Sequence, residues 1–483
     1  MIRKAICSNK FLSAVVVYSY MSTGIAIAEV HPQGASSKYS HKALSYNGNS
    51  AAAALIVERN DPHVVTGGSL NVGGGVEYGN LDDLFEKINT LANDFRAPSD
   101  GSSNGSGSDD VEHKDWDTIF EQYPDLEEQL SILGEKVVAT SALLAVISSE
   151  GYGKAQANAD GSFIINEDLF GGTLLFGFAT QGSSKALGIV EQLNFDKEQA
   201  KTQLETISDF TDTDPIQALD LSDGITLFYN PVNNKTKLTL ENDSLMLIKA
   251  AKVSRFSLSY SKKALTHEFG DLYWGIKPTY YRVGLANVGV RLGDITDSEA
   301  LFDDIKNADF VYKNGADFDL GLIWAAEHYQ IGASLNNVIE KKFHFPELDR
   351  RQYSSSNILS QLDYHEYITL ERQFKLEAGV FTKQRHWSLH AELDANSITD
   401  YMKDRYQWLT VTGSYAADNW WLPSARLGFS KNLTGSKLTY INAGVTLMKF
   451  LNLDIASTLD TVQIDDNDIM RGLSIRLGVQ FDY

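Results

Sequence analysis

Alternation with a period of two dominates the second half of the chain. Counting back from the C-terminus, Ile475, Leu477, Val479, Phe481 and Tyr483 alternate with Ser474, Arg476, Gly478, Gln480 and Asp482. Successive side chains of an extended strand point to opposite faces, so this spacing predicts a strand with one apolar and one polar face. The same pattern recurs at Phe318, Leu320, Leu322 and Trp324, at Tyr329, Ile331, Ala333 and Leu335, and at Trp387, Leu389, Ala391 and Leu393. Ile441, Ala443, Val445 and Leu447, then Leu451, Leu453 and Ile455, continue it. Roughly eleven such segments of about ten residues follow residue 245, the length that crosses a hydrocarbon layer when tilted.

A soluble sandwich would alternate equally well, so the connections must separate the two architectures. Those near 461–471, 432–437, 396–404 and 338–371 are long or polar. Those near Phe450, Ala416–Asn419, Lys383–His386 and Glu327–His328 are short. Long loops at one end and tight turns at the other describe an up-and-down barrel of an outer membrane. Tyr329, Trp387, Tyr415, Trp420, Trp421, Phe450 and Tyr483 gather beside the tight turns, where an interfacial girdle would lie. Glu392, Asp394, Asp319 and Asp454 all fall on the polar phase, toward a lumen rather than lipid.

The first half is less regular. Val64 to Tyr78 reads as a first strand, with Gly67, Gly68 and Gly73–Gly75 permitting close backbone approach. Leu81, Leu84, Phe85, Ile88, Leu91 and Phe95 fall at helical spacing, and Pro98 to Asp110 reads as a linker. A second helical pattern covers about 113–133, strands are expected near 137–149 and 172–181, and a further helix over about 185–210. Three early strands and the later eleven make about fourteen, an even number that returns both ends to one side.

At the N-terminus Arg3, Lys4 and Lys10 precede an apolar run, Phe11 to Ile27, that ends in Ala26-Ile27-Ala28. This is the pattern of a secretory signal cleaved after Ala28. The expected organisation is a signal peptide over 1–28, an N-terminal plug or periplasmic segment over 29–62, and a barrel over 63–483. Helical, outward-facing insertions lie near 79–136 and 182–244, both strongly acidic. The expected location is the outer membrane, reached through the barrel-assembly machinery by way of the C-terminal strand 475–483.

Charge and cysteine content narrow the function classes. A net charge of −21 argues against a nucleic-acid binder. Cys7 is the one cysteine and lies in the basic start of the signal, so neither disulfide, thiol nucleophile nor Cys metal site is available. His386 and His390 would lie about 13 Å apart on a strand, too far to share a metal ion. His267-Glu268 and His365-Glu366 lack a second histidine at zinc-hydrolase spacing, and no Gly-x-Ser-x-Gly elbow occurs. His390, Glu392 and Asp394 are the first suspects for any site assembled across strands, although lumen polarity explains them without chemistry. No catalytic, metal or cofactor residue is assigned. Pro278 sits inside a good strand and predicts a local kink, with a lateral opening toward lipid.

The stretch Ser244-Leu-Met-Leu-Ile-Lys-Ala-Ala-Lys-Val-Ser-Arg-Phe-Ser-Leu-Ser-Tyr-Ser261, followed by Leu272-Tyr-Trp-Gly-Ile-Lys-Pro-Thr-Tyr-Tyr281, resembles the plasmid-transfer TraF-like family of exported proteins. Asp319-Leu-Gly-Leu322, Gly332-Ala-Ser-Leu-Asn-Asn-Val-Ile339 and Phe345-Pro346 are similar both to that family and to FadL-type outer-membrane barrels. The resemblance spans about residues 60–483. It implies a fourteen-strand barrel with an N-terminal plug, related to channels for hydrophobic molecules, and an association with conjugal transfer. The chain departs from the FadL pattern at its N-terminus, where the usual Asn-Pro-Ala is missing, so no ligand-binding residues carry over.

Two functions from different classes follow. A passive channel for hydrophobic or amphipathic small molecules predicts an apolar cavity inside the barrel. A structural or docking component of a conjugative or other envelope assembly predicts a filled lumen and helical loops that present apolar surface.

Overall fold

A computed structural model describes residues 48–59, 67–95, 126–232, 235–240, 242–295, 308–464 and 467–481. The expected cleavage site at Ala26 and Ala28, most of the segment 29–62, and Tyr483 lie outside the described residues. Fourteen strands form the wall: β1 (Gly68–Tyr78), β2 (Tyr152–Leu169), β3 (Gly172–Ile189), β4 (Leu245–His267), β5 (Gly270–Arg291), β6 (Val311–Ala325) and β7 (Tyr329–Asn336). The second seven are β8 (Gln373–Phe381), β9 (Trp387–Asp394), β10 (Trp408–Tyr415), β11 (Ser424–Asn432), β12 (Thr439–Leu447), β13 (Leu451–Thr458) and β14 (Gly472–Phe481). Each pairs antiparallel with the next, and β14 pairs with β1 to close the ring. Closure is the physical necessity, because a strand edge in hydrocarbon would leave backbone groups without any partner.

The alternation in sequence becomes inside and outside. On β14, Leu473, Ile475, Leu477 and Val479 are exposed on the outer wall, while Ser474, Arg476 and Gln480 are buried on the inner one. Asp394 and Asp454 are likewise buried inside, as their phase predicts. Trp387, Tyr329, Tyr415, Trp420, Trp421 and Phe450 stand exposed beside the short turns, the interfacial position that amphipathic rings favour.

The seam is held from within. Arg476 on β14 stands in register with Gly73 of β1, and its Nη2 reaches over β1 to Asp160 Oδ1 on β2 at 2.7 Å. The other oxygen of Asp160 accepts from Asn71 Nδ2 at 2.9 Å. A Cβ at Gly73 would meet Asn158 Oδ1 and the Ile475 carbonyl, so glycine leaves the room this crossing needs. A second buried pair, Arg426 Nε to Asp454 Oδ1 at 2.5 Å, braces β11 against β13.

The first half departs from expectation in two places. The strand expected at 137–149 is part of helix α3 (Leu126–Glu150), and the strand that follows it is β2. Leu130, Leu133, Val137, Thr140, Leu144 and Ile147 are its buried positions, a helical spacing blurred in the sequence by the exposed Val138 and Val146. β2 was hidden because its outward positions include Ala155, Ala157 and Ala159, which are weakly apolar. The helix expected over 185–210 begins as strand: β3 runs to Ile189, and helix covers Lys197–Glu205 (α4 below), continued by a 3-10 turn over Thr206–Asp209. Its start is fixed by Asp196, whose carboxylate accepts from the backbone N–H groups of Glu198 and Gln199. Helix α2 (Leu84–Phe95) follows its expected spacing.

β2 to β5 are 18 to 23 residues long, against 8 to 10 for β7 to β14, so one side of the wall is much taller. Against the outer face of that extension, around Ala186, Met246 and Ile248, pack α2, α3, α4 (Lys197–Glu205) and a three-stranded sheet over 217–240 with Leu219 and Leu227 in its core. At Pro278 the pairing is interrupted on one side only. Its ladder to β6 runs through Pro278↔Phe318, and the ladder to β4 omits two rungs and resumes in the same register. The register shift of that pair lies instead between Lys263 and Leu265.

Asp160→Ala leaves Arg476 buried and unpaired, and should cost about 3–5 kcal/mol. Urea unfolding in detergent micelles is the check, with Asp160→Ala/Arg476→Met expected to recover most of the loss; an unchanged single mutant would show that the seam does not depend on this pair.

Candidate functional site

The lumen is the concave feature that the fold builds, and three separate pieces of chain enter it. At the short-turn end lies helix α1 (Ala52–Arg59), with Ala51 to Ile56 fully or almost fully buried. It packs on the inward-facing Ile164, Leu175, Tyr273 and Ile323. Gly275 and Gly321 are register partners on β5 and β6, and together they form a dent for the segment just before the helix. A Cβ at Gly275 would lie 2.1 Å from the Ser50 carbonyl oxygen, and one at Gly321 would lie 2.1 Å from Asn49 Oδ1. Polar contacts hold the seat. Ser50 Oγ donates to the Gly275 carbonyl at 3.1 Å, Asn49 Nδ2 donates to Glu377 Oε1 at 2.8 Å, and the Ala54 N–H donates to Ser261 Oγ at 2.9 Å. At the far end of the helix Glu58 accepts from Tyr273 and pairs with Lys263, and Arg59 donates to the Ala326 carbonyl.

At the long-loop end two connections fold inward. The 337–372 connection brings a hairpin (Lys341–His344 with Tyr367–Leu370) and helix α5 (Ser356–His365). Phe343, Phe345 and Ile368 pack on the inward Val253, Tyr281 and Val283, with Tyr401 and Met402 of the 395–407 loop. Ile358 and Leu362 of α5 pack on Ile189, Leu245 and Leu247. The 395–407 loop crosses the mouth and is pinned to the opposite wall by ion pairs. Lys154 of β2 pairs with Asp400 and, at 3.1 Å, with Asp404, and Lys185 of β3 pairs with Asp404. Burial alone would raise the Asp404 carboxyl, but the ammoniums of Lys185 and Lys154 outweigh it and hold it well below the usual carboxylate range. Burial, and behind it the charges of Lys249, Lys185 and Lys403, push the His365 imidazole down to about 3.

Between the two closures remains an empty volume of about 1000 Å³, counting the solvent it opens to. Its lining is mixed, with Gln156, Arg255, Lys277, Asp317, Asp319 and Lys375 beside Leu370, Ile398 and Tyr401. Lys277 Nζ lies 2.9 Å from Asp319 Oδ2, its register partner on the neighbouring strand, so the two form an ion pair in the wall of that space. The apolar cavity expected of a channel for hydrophobic molecules is therefore not the one found: inward phases read polar in the sequence, and they supply the charged part of the lining.

The residues singled out for chemistry have the following neighbours. The His390 ring meets Phe381 edge-on at 5.2 Å. Glu392 and Asp394 lie 3.8 and 3.6 Å from Lys375 Nζ, and Asp394 also accepts from the Trp408 N–H at 2.9 Å. His386 is at the short-turn end, where its Nε2 lies 2.6 Å from Asp418 Oδ2. Among the described residues no group of His, Cys, Asp and Glu could hold a metal ion. Lys154, Lys185, Asp400 and Asp404 were missed because a lysine on a strand and an aspartate in a distant loop show no spacing that links them.

A family model described as "F plasmid transfer operon, TraF, protein" matches residues 46–394. No curated protein matches the chain. Among solved structures, a Pseudomonas aeruginosa FadL homologue is similar at 10% identity, with 94% of this chain and 100% of that one covered and a TM-score of 0.36. A mutant of the TodX monoaromatic hydrocarbon channel gives 9%, 91%, 97% and 0.34 for the same measures. The Ralstonia pickettii toluene transporter TbuX gives 9%, 92%, 99% and 0.28.

The depressed His365 value has a direction in pH. Near pH 7 the ring is neutral whether or not α5 is packed. Below the ordinary value of 6.5, a released α5 takes up a proton that the packed one does not, so packing weakens steadily as pH falls toward 3. Asp404, with its depressed value, adds its own loss only at the acid end of that window. A spin label at Ser360 should gain mobility between pH 7.5 and 5, and His365→Phe should abolish the change; equal mobility at both pH values would contradict the reading.

Proposed function

This chain belongs to the F plasmid transfer operon TraF family, and we propose that it is a passive outer-membrane channel for small molecules, shut in this conformation and gated by the segment 48–59 acting as a plug. The short turns face the periplasm and the helical cap faces outward. The observation that carries the reading is the seat of α1. The barrel wall gives up two side chains, at Gly275 and Gly321, to receive a segment that is otherwise held only by non-covalent contacts. A permanent core would be better served by apolar side chains from the wall itself, which fill space without orphaning polar groups. The mixed lining favours amphipathic solutes that carry a charged or hydrogen-bonding end over purely apolar ones. The channel needs no chemistry, and no enzymatic role is assigned.

A docking role in an envelope assembly is the second reading, favoured by one feature. On α3, Val138, Ala142 and Val146 leave an exposed, largely apolar stripe on the cap, with Val138 67% exposed. A photocrosslinker at Val138 captures an envelope protein under that reading.

Planar-bilayer conductance separates plug from filler. The intact barrel should be mostly silent, and deletion of 48–59 should give stable open steps. Gly275→Val or Gly321→Val, overpacking the seat by about 1–3 kcal/mol, should raise the open fraction about tenfold. A deletion variant that folds and stays silent would overturn the gating role.

A further inference from the structure

The outer wall carries a feature that a passage for solutes does not use. Across β3 to β6 the register aligns outward residues in rows. Phe178, Phe256, Tyr280 and Ala316 are consecutive partners and form the last apolar row before the outer face passes under the packed helices. The next row, toward the long-loop end, is Thr180, Ser254, Arg282 and Asn314, and the one after it is Gly182, Lys252, Gly284 and Tyr312. Two cations, Arg282 and Lys252, thus stand on neighbouring strands where the greasy band gives way to polar surface.

Both are held in place by aromatic rings. Arg282 Cζ lies 4.2 Å from the centroid of Tyr312, and Lys252 Nζ lies 4.3 Å from that of Phe310. The Tyr312 ring lies over Gly284, where a Cβ would come within 2.5 Å of it, so glycine makes the bed for the platform on which Arg282 rests. Neither cation forms an ion pair with a carboxylate among the described residues, in a chain with 63 acidic and 42 basic residues. An unpaired, ring-fixed pair at the rim of the apolar band matches an anion whose own apolar part lies in that band. Phe256 and Tyr280, both about half exposed, lie directly below to meet acyl chains.

We propose that Lys252 and Arg282, on the Tyr312–Phe310 platform, form a binding site for the phosphate of a phosphorylated glycolipid in the outer leaflet. The inference rests on the outer-membrane placement with the long loops outward, and not on any passage through the lumen.

The test uses the full barrel in detergent micelles with fluorescent lipid A, in its phosphorylated form and after enzymatic dephosphorylation. The wild type should bind the phosphorylated form about tenfold more tightly, a ratio equivalent to ~1.4 kcal/mol. Lys252→Gln/Arg282→Gln should bring both forms to the weaker value while keeping the heat-modifiable gel mobility of a folded barrel. Lys431→Gln, at an outward position on β11, should leave the preference intact. Equal binding of the two lipids by the wild type, or a preference that survives the double substitution, would overturn the site. So would full competition by inorganic phosphate at the concentration of the lipid, since the headgroup anion alone would then suffice. Conductance of the variant reads the channel separately, so failure here leaves that reading standing.

Discussion

Everything in this molecule depends on the pairing of its last strand with its first. A membrane-spanning sheet has no water to satisfy its edges, so fourteen strands are stable only as a ring. The β1–β14 ladder is the least local pairing among the described residues, joining residues near 70 to residues near 480. It gains support from inside, where Arg476 crosses β1 to reach Asp160, whose other oxygen accepts from Asn71. The charge lies in the lumen because the outer face cannot carry it cheaply. At mid-membrane an outward charge costs about 2–4 kcal/mol.

From that constraint the interior follows. Alternation sends every polar phase inward, so a barrel with an apolar coat has a wet lumen unless chain enters to fill it. Here chain enters from both ends. The short-turn closure is small and glycine-seated, and the long-loop closure is larger, with two apolar clusters and the Lys154, Lys185, Asp400 and Asp404 pairs. The proposed gate is the smaller of the two closures.

Legibility of the sequence tracked the strength of the apolar alternation. The strands after 245 were readable because Leu, Ile, Val and aromatics occupy every second position, and the short turns with their aromatics gave away the barrel. β2 was unreadable because alanines take its lipid side. α3 was misread because valines occupy both its buried and exposed faces, which suited strand as well as helix. The total of fourteen therefore included one strand placed over a helix. Within the lumen, the polarity of Asp394 and Asp454 could be read from phase alone. The seat at Gly275 and Gly321 could not, since a glycine's meaning depends on what approaches it. Nor could the loop latch, whose partners are more than 200 residues apart.

Chemical crosslinking across the seam tests ring closure most directly. Val72 and Leu477 are register partners on the lipid side of β1 and β14. Cysteines at both positions, in membranes, should join through a short bis-thiol reagent within one chain and give a faster-migrating closed form on denaturing gels. A pair that joins only between chains, or not at all while Val72 reacts singly with aqueous reagents, would contradict a closed barrel in lipid.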